Sequence, residues 1–80
     1  MNILPEYLRQ LLLDSPETGV DLHVVAITLA NGRVIEDVAI VNCSVIACVR
    51  GKPFVWFDGS DVASLHVSHR RWGAGHLSTR

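Results

Sequence analysis

The sequence predicts a mainly β domain, in which a short N-terminal helix precedes a five-stranded, strongly bent antiparallel small barrel. Three observations predict this fold. Apolar residues near the start recur at helical spacing, residues from about 21 to 67 form short β-branched or aromatic runs, and Gly, Asn, Asp or Pro separates those runs. Eighty residues allow one domain, which we place at residues 1–68, followed by a basic tail at residues 69–80.

The helix is expected over about residues 4–14, where leucines and Tyr7 repeat every three or four positions. Pro5 stands in the first helical turn, which tolerates proline. Pro16 cannot continue the helical hydrogen-bond ladder and disfavours helix at Ser15, so the helix ends before it.

The first two strands are predicted at residues 22–30 and 33–41, joined by Asn31-Gly32. An Asn-Gly pair between apolar runs is the strongest short-range signal for a hairpin with a type I′ turn. Both faces of these strands are largely apolar, which favours a small bent barrel whose second face meets a helix or a neighbouring subunit.

Three further strands are expected at residues 45–49, 54–57 and 62–67. The connections at 42–44, 50–53 and 58–61 carry turn-forming residues, including Asn42, Gly51, Pro53 and Gly59. One helix and five strands in meander order therefore account for residues 1–68.

Composition bounds the function. Hydrophobic residues make up 49% of the chain and charged residues 19%, which is rich in apolar side chains for so small a domain and favours oligomerisation. No uncharged run is long enough for a membrane-spanning helix, and the start lacks a signal-peptide pattern, so we expect a cytoplasmic protein with reduced cysteines.

Catalytic and metal chemistry lack a sequence signal. The four histidines and two cysteines show no CxxC or HxxxH spacing, and no nucleophile motif such as GxSxG is present. We therefore expect no catalytic residues, no metal and no cofactor. The acids of residues 58–61 are explained by turn capping.

Two stretches resemble the Sm/LSm family of small β-barrels, the family of the Hfq-related RNA chaperones. Residues 25–33, VAITLANGR, match its first motif, and residues 57–62, FDGSDV, keep the apolar positions and Gly59 of its second motif. The resemblance implies a ring of subunits that holds RNA near a central pore, using the loop after the second strand and a basic residue of the second motif. Asn42 and Gly59 fall at those places, but Asp58 replaces the basic residue and no Met-Asn pair follows Asn42.

Asp58 changes the electrostatics at that position, because a carboxylate repels phosphate where an arginine would attract it. The basic tail offers a second nucleic-acid contact through Arg70, Arg71 and Trp72, although a solvated tail, or one docked on the acidic body of a neighbouring subunit, also explains these residues. Two functions stay open: a ring that binds RNA or single-stranded nucleic acid through one face and the tail, and a non-catalytic assembly or adaptor module that binds protein and not RNA.

The oligomer interface is expected around residues 54–57, FVWF, because alternation turns Phe54 and Trp56 one way and Val55 and Phe57 the other. One barrel interior cannot hold both pairs, so the second pair covers a neighbouring subunit or, alternatively, is buried beneath the N-terminal helix. The resemblance implies that this strand pairs with the fifth strand of the next subunit, which adds Val62 and Leu65 to the expected interface of a cyclic homo-oligomer.

Overall fold

The computed structural model describes residues 2–68 and shows one helix packed on a four-stranded antiparallel sheet. The elements are α1 (Glu6–Leu13), β1 (Leu22–Leu29), β2 (Val34–Val41), β3 (Val45–Val49), a 3₁₀ turn (Gly59–Asp61) and β4 (Val62–Val67). The strand order is β3-β2-β1-β4, so the sheet is open and β3 and β4 are its edges. The mainly β prediction with an N-terminal helix is confirmed, whereas the closed five-stranded barrel is wrong.

The predicted strand at residues 54–57 does not form, and the outer edge of β3 supplies the reason. In meander order that strand would pair with this edge. Residues 2–4 lie there instead: the Leu4 N–H donates to the Ser44 carbonyl and the Ile46 N–H donates to the Asn2 carbonyl, both at 2.8 Å. Residues 2–4 take only the first half of the β3 edge, and the Phe57 carbonyl accepts from Asn2 Nδ2 instead of from β3, so residues 54–57 continue as irregular chain.

Helix α1 is shorter than predicted. It begins after Pro5 and ends at Leu13, where the Asp14 N–H reaches back to the Gln10 carbonyl. Leu8 and Leu12 point into the core together with Leu4, which precedes the helix. No helix of residues 2–68 is long and apolar enough to cross a membrane.

The core lies between α1 and one face of the sheet. Alternation in β1 and β2 sends every second side chain toward the helix. The buried cluster comprises Leu4, Leu8, Leu12, Val25, Ile27, Leu29, Ile35, Val38, Ile40, Ile46, Val49, Phe57 and Val62. His23 is also completely buried, and its Nε2 lies 3.2 Å from the Ser15 carbonyl oxygen, which ties the start of β1 to the end of the helical segment.

Each pair of neighbouring strands contains a register shift. Between β1 and β2 the pairing changes from Val25 with Val38 to Ile27 with Ile35, so β2 carries an extra residue. Asp37 lies in this bulge with a φ of 57°. Bulges increase the local twist and bend of a strand, so these shifts are the places where the sheet curves around its core.

The hairpin between β1 and β2 forms as predicted, but its turn is of a different type. The Leu29 N–H donates to the Arg33 carbonyl and the Gly32 N–H to the Leu29 carbonyl, which leaves a three-residue loop. Gly32 has a φ of 91°, whereas Asn31 is not in the left-handed region. A three-residue loop needs only its last residue left-handed, so the predicted type I′ turn at Asn31-Gly32 is wrong.

The geometry expected of a type I′ turn, with two successive left-handed residues, occurs instead in the turn between β2 and β3. Asn42 and Cys43 have φ values of 54° and 58°, and the Ser44 N–H donates to the Val41 carbonyl at 3.1 Å. Two successive left-handed residues define a two-residue hairpin turn of this kind. Cys43 adopts this conformation without the freedom of glycine, which costs about 1–2 kcal/mol.

Gly59 in the 3₁₀ turn packs directly on the N-terminal segment. A Cβ added here would lie 2.6 Å from the Ile3 carbonyl carbon and 3.2 Å from the Leu4 nitrogen. Both neighbours are backbone atoms, so they cannot move aside as a flexible side chain would. Only glycine allows the turn to approach residues 2–4 this closely.

Replacing Gly59 by alanine should therefore destabilise the fold by about 3 kcal/mol, because the added methyl group forces the turn and residues 2–4 apart. Urea unfolding followed by circular dichroism measures the change. The matched control is Gly19→Ala, since a Cβ at Gly19 meets only Leu22 side-chain atoms at 3.6 Å or more. Equal stability of the two variants would contradict this packing.

The Cys43 turn gives a second test. Cys43→Gly should be more stable than Cys43→Ala by about 1 kcal/mol, because glycine removes the left-handed strain while both variants lose the thiol. Urea midpoints of the two variants measure the difference. Ala63→Gly, in the exposed part of β4, should instead cost about 0.5–1 kcal/mol. A Cys43→Gly variant less stable than Cys43→Ala would refute the strained turn.

Candidate functional site

The segment after β3 exposes two large aromatic side chains. A turn closed by the Lys52 N–H and the Val49 carbonyl precedes Pro53, and Gly51 has a φ of 79° in that turn. Phe54 is then 66% exposed and Trp56 is 42% exposed. Exposed aromatic residues of this size mark interaction sites more often than solvated loops.

Phe57 fixes this segment to the core. Its side chain is buried, and the Trp56 ring meets it edge-to-face with 5.4 Å between the centroids and an interplanar angle of 88°. The Phe57 carbonyl accepts a hydrogen bond of 2.7 Å from Asn2 Nδ2. Trp56 is therefore held on a buried anchor.

The 3₁₀ turn that follows carries two carboxylates. The Asp58 side chain accepts from the Asp61 backbone N–H, and the Asp61 side chain accepts from the Asp58 backbone N–H, which forms a reciprocal capping box. The Gly59 N–H donates to Asn2 Oδ1. The predicted capping role of the two acids is thus present, and their remaining lone pairs are available to a ligand.

These residues line an open cleft of about 440 Å³ formed by Asn2, Val55, Trp56, Phe57, Asp58 and Asp61. Its lining includes the Trp56 and Phe57 residues, and its charged groups are carboxylates. The Lys52 ammonium lies 6.0 Å from the centroid of the Trp56 ring, within the range of a cation–π contact. The cleft therefore suits a cationic side chain and repels an anion such as phosphate.

The outer edge of β4 presents unpaired backbone groups. The Ser68 N–H donates to the Val24 carbonyl, so the backbone at Ser68 faces β1. Alternation then turns the N–H and C=O groups of Leu65 and Val67 outward. The Tyr7 hydroxyl donates to the outward carbonyl of Ala63 at 2.8 Å, but no strand of residues 2–68 lies along this edge.

Asn42 lies in a separate cleft. This cleft, of about 330 Å³, is lined by Glu6, Arg9, Gln10, Leu13, Asn42, Cys43 and Ser44. The Arg9 Nε is buried and has no hydrogen-bond acceptor among the described residues. Sequence reasoning missed Arg9 because only the fold brings α1 against the turn between β2 and β3.

The structure does not bring Asn42 and Gly59 into one pocket. Residues 2–4 run between them, pairing with Ser44 and Ile46 on one side and contacting Gly59 on the other. Gly59 is buried and its N–H is occupied by Asn2. Its packing on Ile3 explains this glycine without a ligand.

The other predicted residues divide into three groups. Phe54 and Trp56 are exposed, Val55 and Leu65 are half-buried, and Phe57 and Val62 lie in the core of the same chain. Arg70, Arg71 and Trp72 lie outside the described residues. Asn2, whose amide holds the aromatic segment and the acidic turn together, was not predicted, because a contact across 55 or 57 positions leaves no local pattern.

The cysteines are poorly placed for nucleophilic chemistry. Burial raises the pKa of the Cys43 thiol, and the Glu17 and Asp21 carboxylates raise it further. Burial also raises the pKa of the Cys48 thiol. A higher pKa leaves less of the reactive thiolate. Among the described residues, no three His, Cys, Asp or Glu side chains are grouped to hold a metal ion.

Comparison of the chain with protein-family models, with curated proteins and with solved structures gave no match. The resemblance to the Sm/LSm family therefore stays a prediction from the two sequence motifs.

Proposed function

We propose that this protein is a non-catalytic assembly module whose chains associate through the edge of β4 and the aromatic segment at residues 54–57. One observation carries the proposal: β4 has a row of outward backbone groups that no strand of residues 2–68 pairs. Such an edge is a template for pairing with another chain.

The sequence of the edge supports a pairing role. Natural edge strands are usually protected by lysine, proline or an inward-pointing charge. The β4 sequence VASLHV contains no lysine, arginine, proline or acid. The irregular pairing of β4 with β1 is the one protective feature of this edge among those given for the described residues, and the lack of charge and proline favours association.

The exposed aromatic side chains add area to the same association. An aromatic side chain that becomes covered removes on the order of 150–250 Å² from water, and specific interfaces bury roughly 800 Å² per partner. Phe54 is 66% exposed and Trp56 is 42% exposed, so covering what remains of them would supply roughly 160–270 Å², about a quarter of one partner's share. The small size of the domain also favours association, because so short a chain can build only a limited core of its own.

The β4 edge and the aromatic segment at residues 54–57 are different surfaces, and contact between them favours a cyclic arrangement. Contact of β4 in one copy with residues 54–57 of the next is heterologous, and heterologous contacts form a ring when the rotation closes. This is also the assembly that the Sm/LSm resemblance implies. Pairing of β4 with β4 would give a two-fold dimer instead.

The variant Phe54→Ser/Trp56→Ser should dissociate the assembly, because it removes the apolar contacts and leaves the core intact. We expect each substitution to cost about 1–2 kcal/mol of association free energy, or roughly five- to thirtyfold in dissociation constant. Light scattering coupled to size-exclusion chromatography measures this across a dilution series.

The matched control is Val34→Ser/Val20→Ser, which removes two side chains that are 63% and 92% exposed outside the aromatic segment. It should leave the oligomer unchanged. A wild-type chain that is monomeric at all working concentrations would disprove the proposal, and an unchanged oligomer in the aromatic variant would exclude residues 54–57 from the interface.

Nucleic-acid binding is the second candidate, and the cleft of Arg9 and Asn42 favours it. A guanidinium beside amide and hydroxyl groups can hold a phosphate and the edge of a base. The tail residues Arg70, Arg71 and Trp72 would extend this contact. The acidic turn that carries Asp58 would take no part in nucleic-acid binding.

Fluorescence anisotropy with labelled single-stranded RNA, at low and moderate salt, tests nucleic-acid binding. If the candidate holds, Arg9→Gln should lower the slope of log affinity against log salt by about one, since one phosphate contact is lost. Arg70→Ala/Arg71→Ala should lower it by about two. Arg33→Gln, at the opposite hairpin, is the control. Absence of binding at micromolar protein in low salt would rule the candidate out.

A further inference from the structure

We propose that the cleft of Trp56, Asp58 and Asp61 binds the basic C-terminal segment, residues 69–80, of a second copy of this chain. Arg70 and Arg71 are its expected ligands. The inference rests on the proposed function, because a neighbouring chain has to present the segment. It adds an electrostatic contact to an assembly that edge pairing alone would leave less specific.

The cleft has the chemistry that a guanidinium requires. The Trp56 ring offers a face for a cation, and the Lys52 ammonium of the same chain already lies 6.0 Å from its centroid, at the limit of a cation–π contact. Asp58 and Asp61 each give one acceptor position to the capping box. A carboxylate has about four such positions, so both acids can still accept from an arginine.

The charges of the two parts are complementary. Residues 2–68 contain all eight acidic residues and four basic ones, for a net charge of -4 with neutral histidines, whereas residues 69–80 contain three arginines and no acid. Within the cleft itself, Asp58 and Asp61 are the charged lining groups. A basic segment thus meets carboxylates beside an aromatic surface, and a phosphate would meet repulsion.

The geometry favours a second copy over the same chain. Asp61 precedes β4 and Ser68 follows it, so the six-residue strand Val62–Val67 separates them by roughly 20 Å at about 3.3 Å per residue. Arg71 is three residues beyond Ser68, which allows at most about 11 Å of extended chain. The main chain up to Arg71 therefore spans only about half of that distance. Only a fully extended arginine side chain could close the rest, which favours the cleft of a neighbour over that of the same chain.

A labelled synthetic peptide, HRRWGAGHLSTR, tests the proposal by anisotropy in low salt. The receptor is the full chain carrying Arg70→Gln/Arg71→Gln, which leaves its clefts free of its own arginine pair. We expect saturable binding that weakens about tenfold or more when Asp58→Asn/Asp61→Asn is added. Asparagine oxygens can still accept the capping bonds, so the turn is retained.

Two controls separate the cleft from general charge attraction. Asp14→Asn/Glu17→Gln removes the same number of exposed acids elsewhere and should change the affinity by less than about twofold. Trp56→Leu should weaken binding while leaving every charge in place, and it serves as a second probe if the Asp58 variant unfolds. A peptide carrying Gln for Arg70 and Arg71 should not bind.

The outcomes distinguish this inference from the proposed function. Equal affinity with and without Asp58 and Asp61, or equal losses in the cleft variant and the Asp14/Glu17 control, would overturn the cleft assignment while the oligomer could persist. A monomeric wild-type chain that still binds the peptide through these residues would overturn the proposed assembly and support the cleft.

Discussion

The contact of residues 2–4 with both β3 and Gly59 governs the rest of the structure. Asn2 and Leu4 pair with the first half of the β3 edge, and the backbone at Ile3 lies directly on the 3₁₀ turn. This short segment occupies the first half of the edge at which a fifth strand would add to the sheet. The sheet is open, and Phe54 and Trp56 present their side chains outside the core.

The same contact has a consequence for ligand binding. The loops around Asn42 and Gly59 would have to converge to form one pocket, but residues 2–4 separate them. Each loop faces a cleft of different chemistry, with Arg9 and amides on one side and Trp56 with two carboxylates on the other. The structure therefore has two separate clefts, of which the larger contains the carboxylates and the smaller contains Arg9.

The sequence predicted the elements whose signals are local. Alternating β-branched residues located β1 and β2, and turn residues placed the hairpin between them, because period and turn chemistry are set within a few positions. The turn type was wrong, since an Asn-Gly pair fits either a two-residue loop or a three-residue loop that ends in glycine. Hairpin register decides between the two, and that depends on bulges such as the one at Asp37.

The predictions that were wrong or missing concern features that depend on contacts between positions far apart in the sequence. The composition of FVWF predicts a strand, but a strand forms only if the edge of another strand is available to pair with it. Nothing in MNIL indicates that it takes the β3 edge first. Arg9 and Asn2 were missed for the same reason, since their partners lie on other elements and follow from the fold.

The rigidity of the aromatic surface bears on how well it can bind a partner. Association is weakened by the ordering of loops and long side chains at the interface. Here Phe57 is buried, Trp56 packs edge-to-face on it, and both polar atoms of the Asn2 amide hold the backbone on either side of Asp58. The surface is thus held at its acidic end by contacts within the chain. Preorganisation of this kind favours a specific docking surface over a chance exposure of hydrophobic residues.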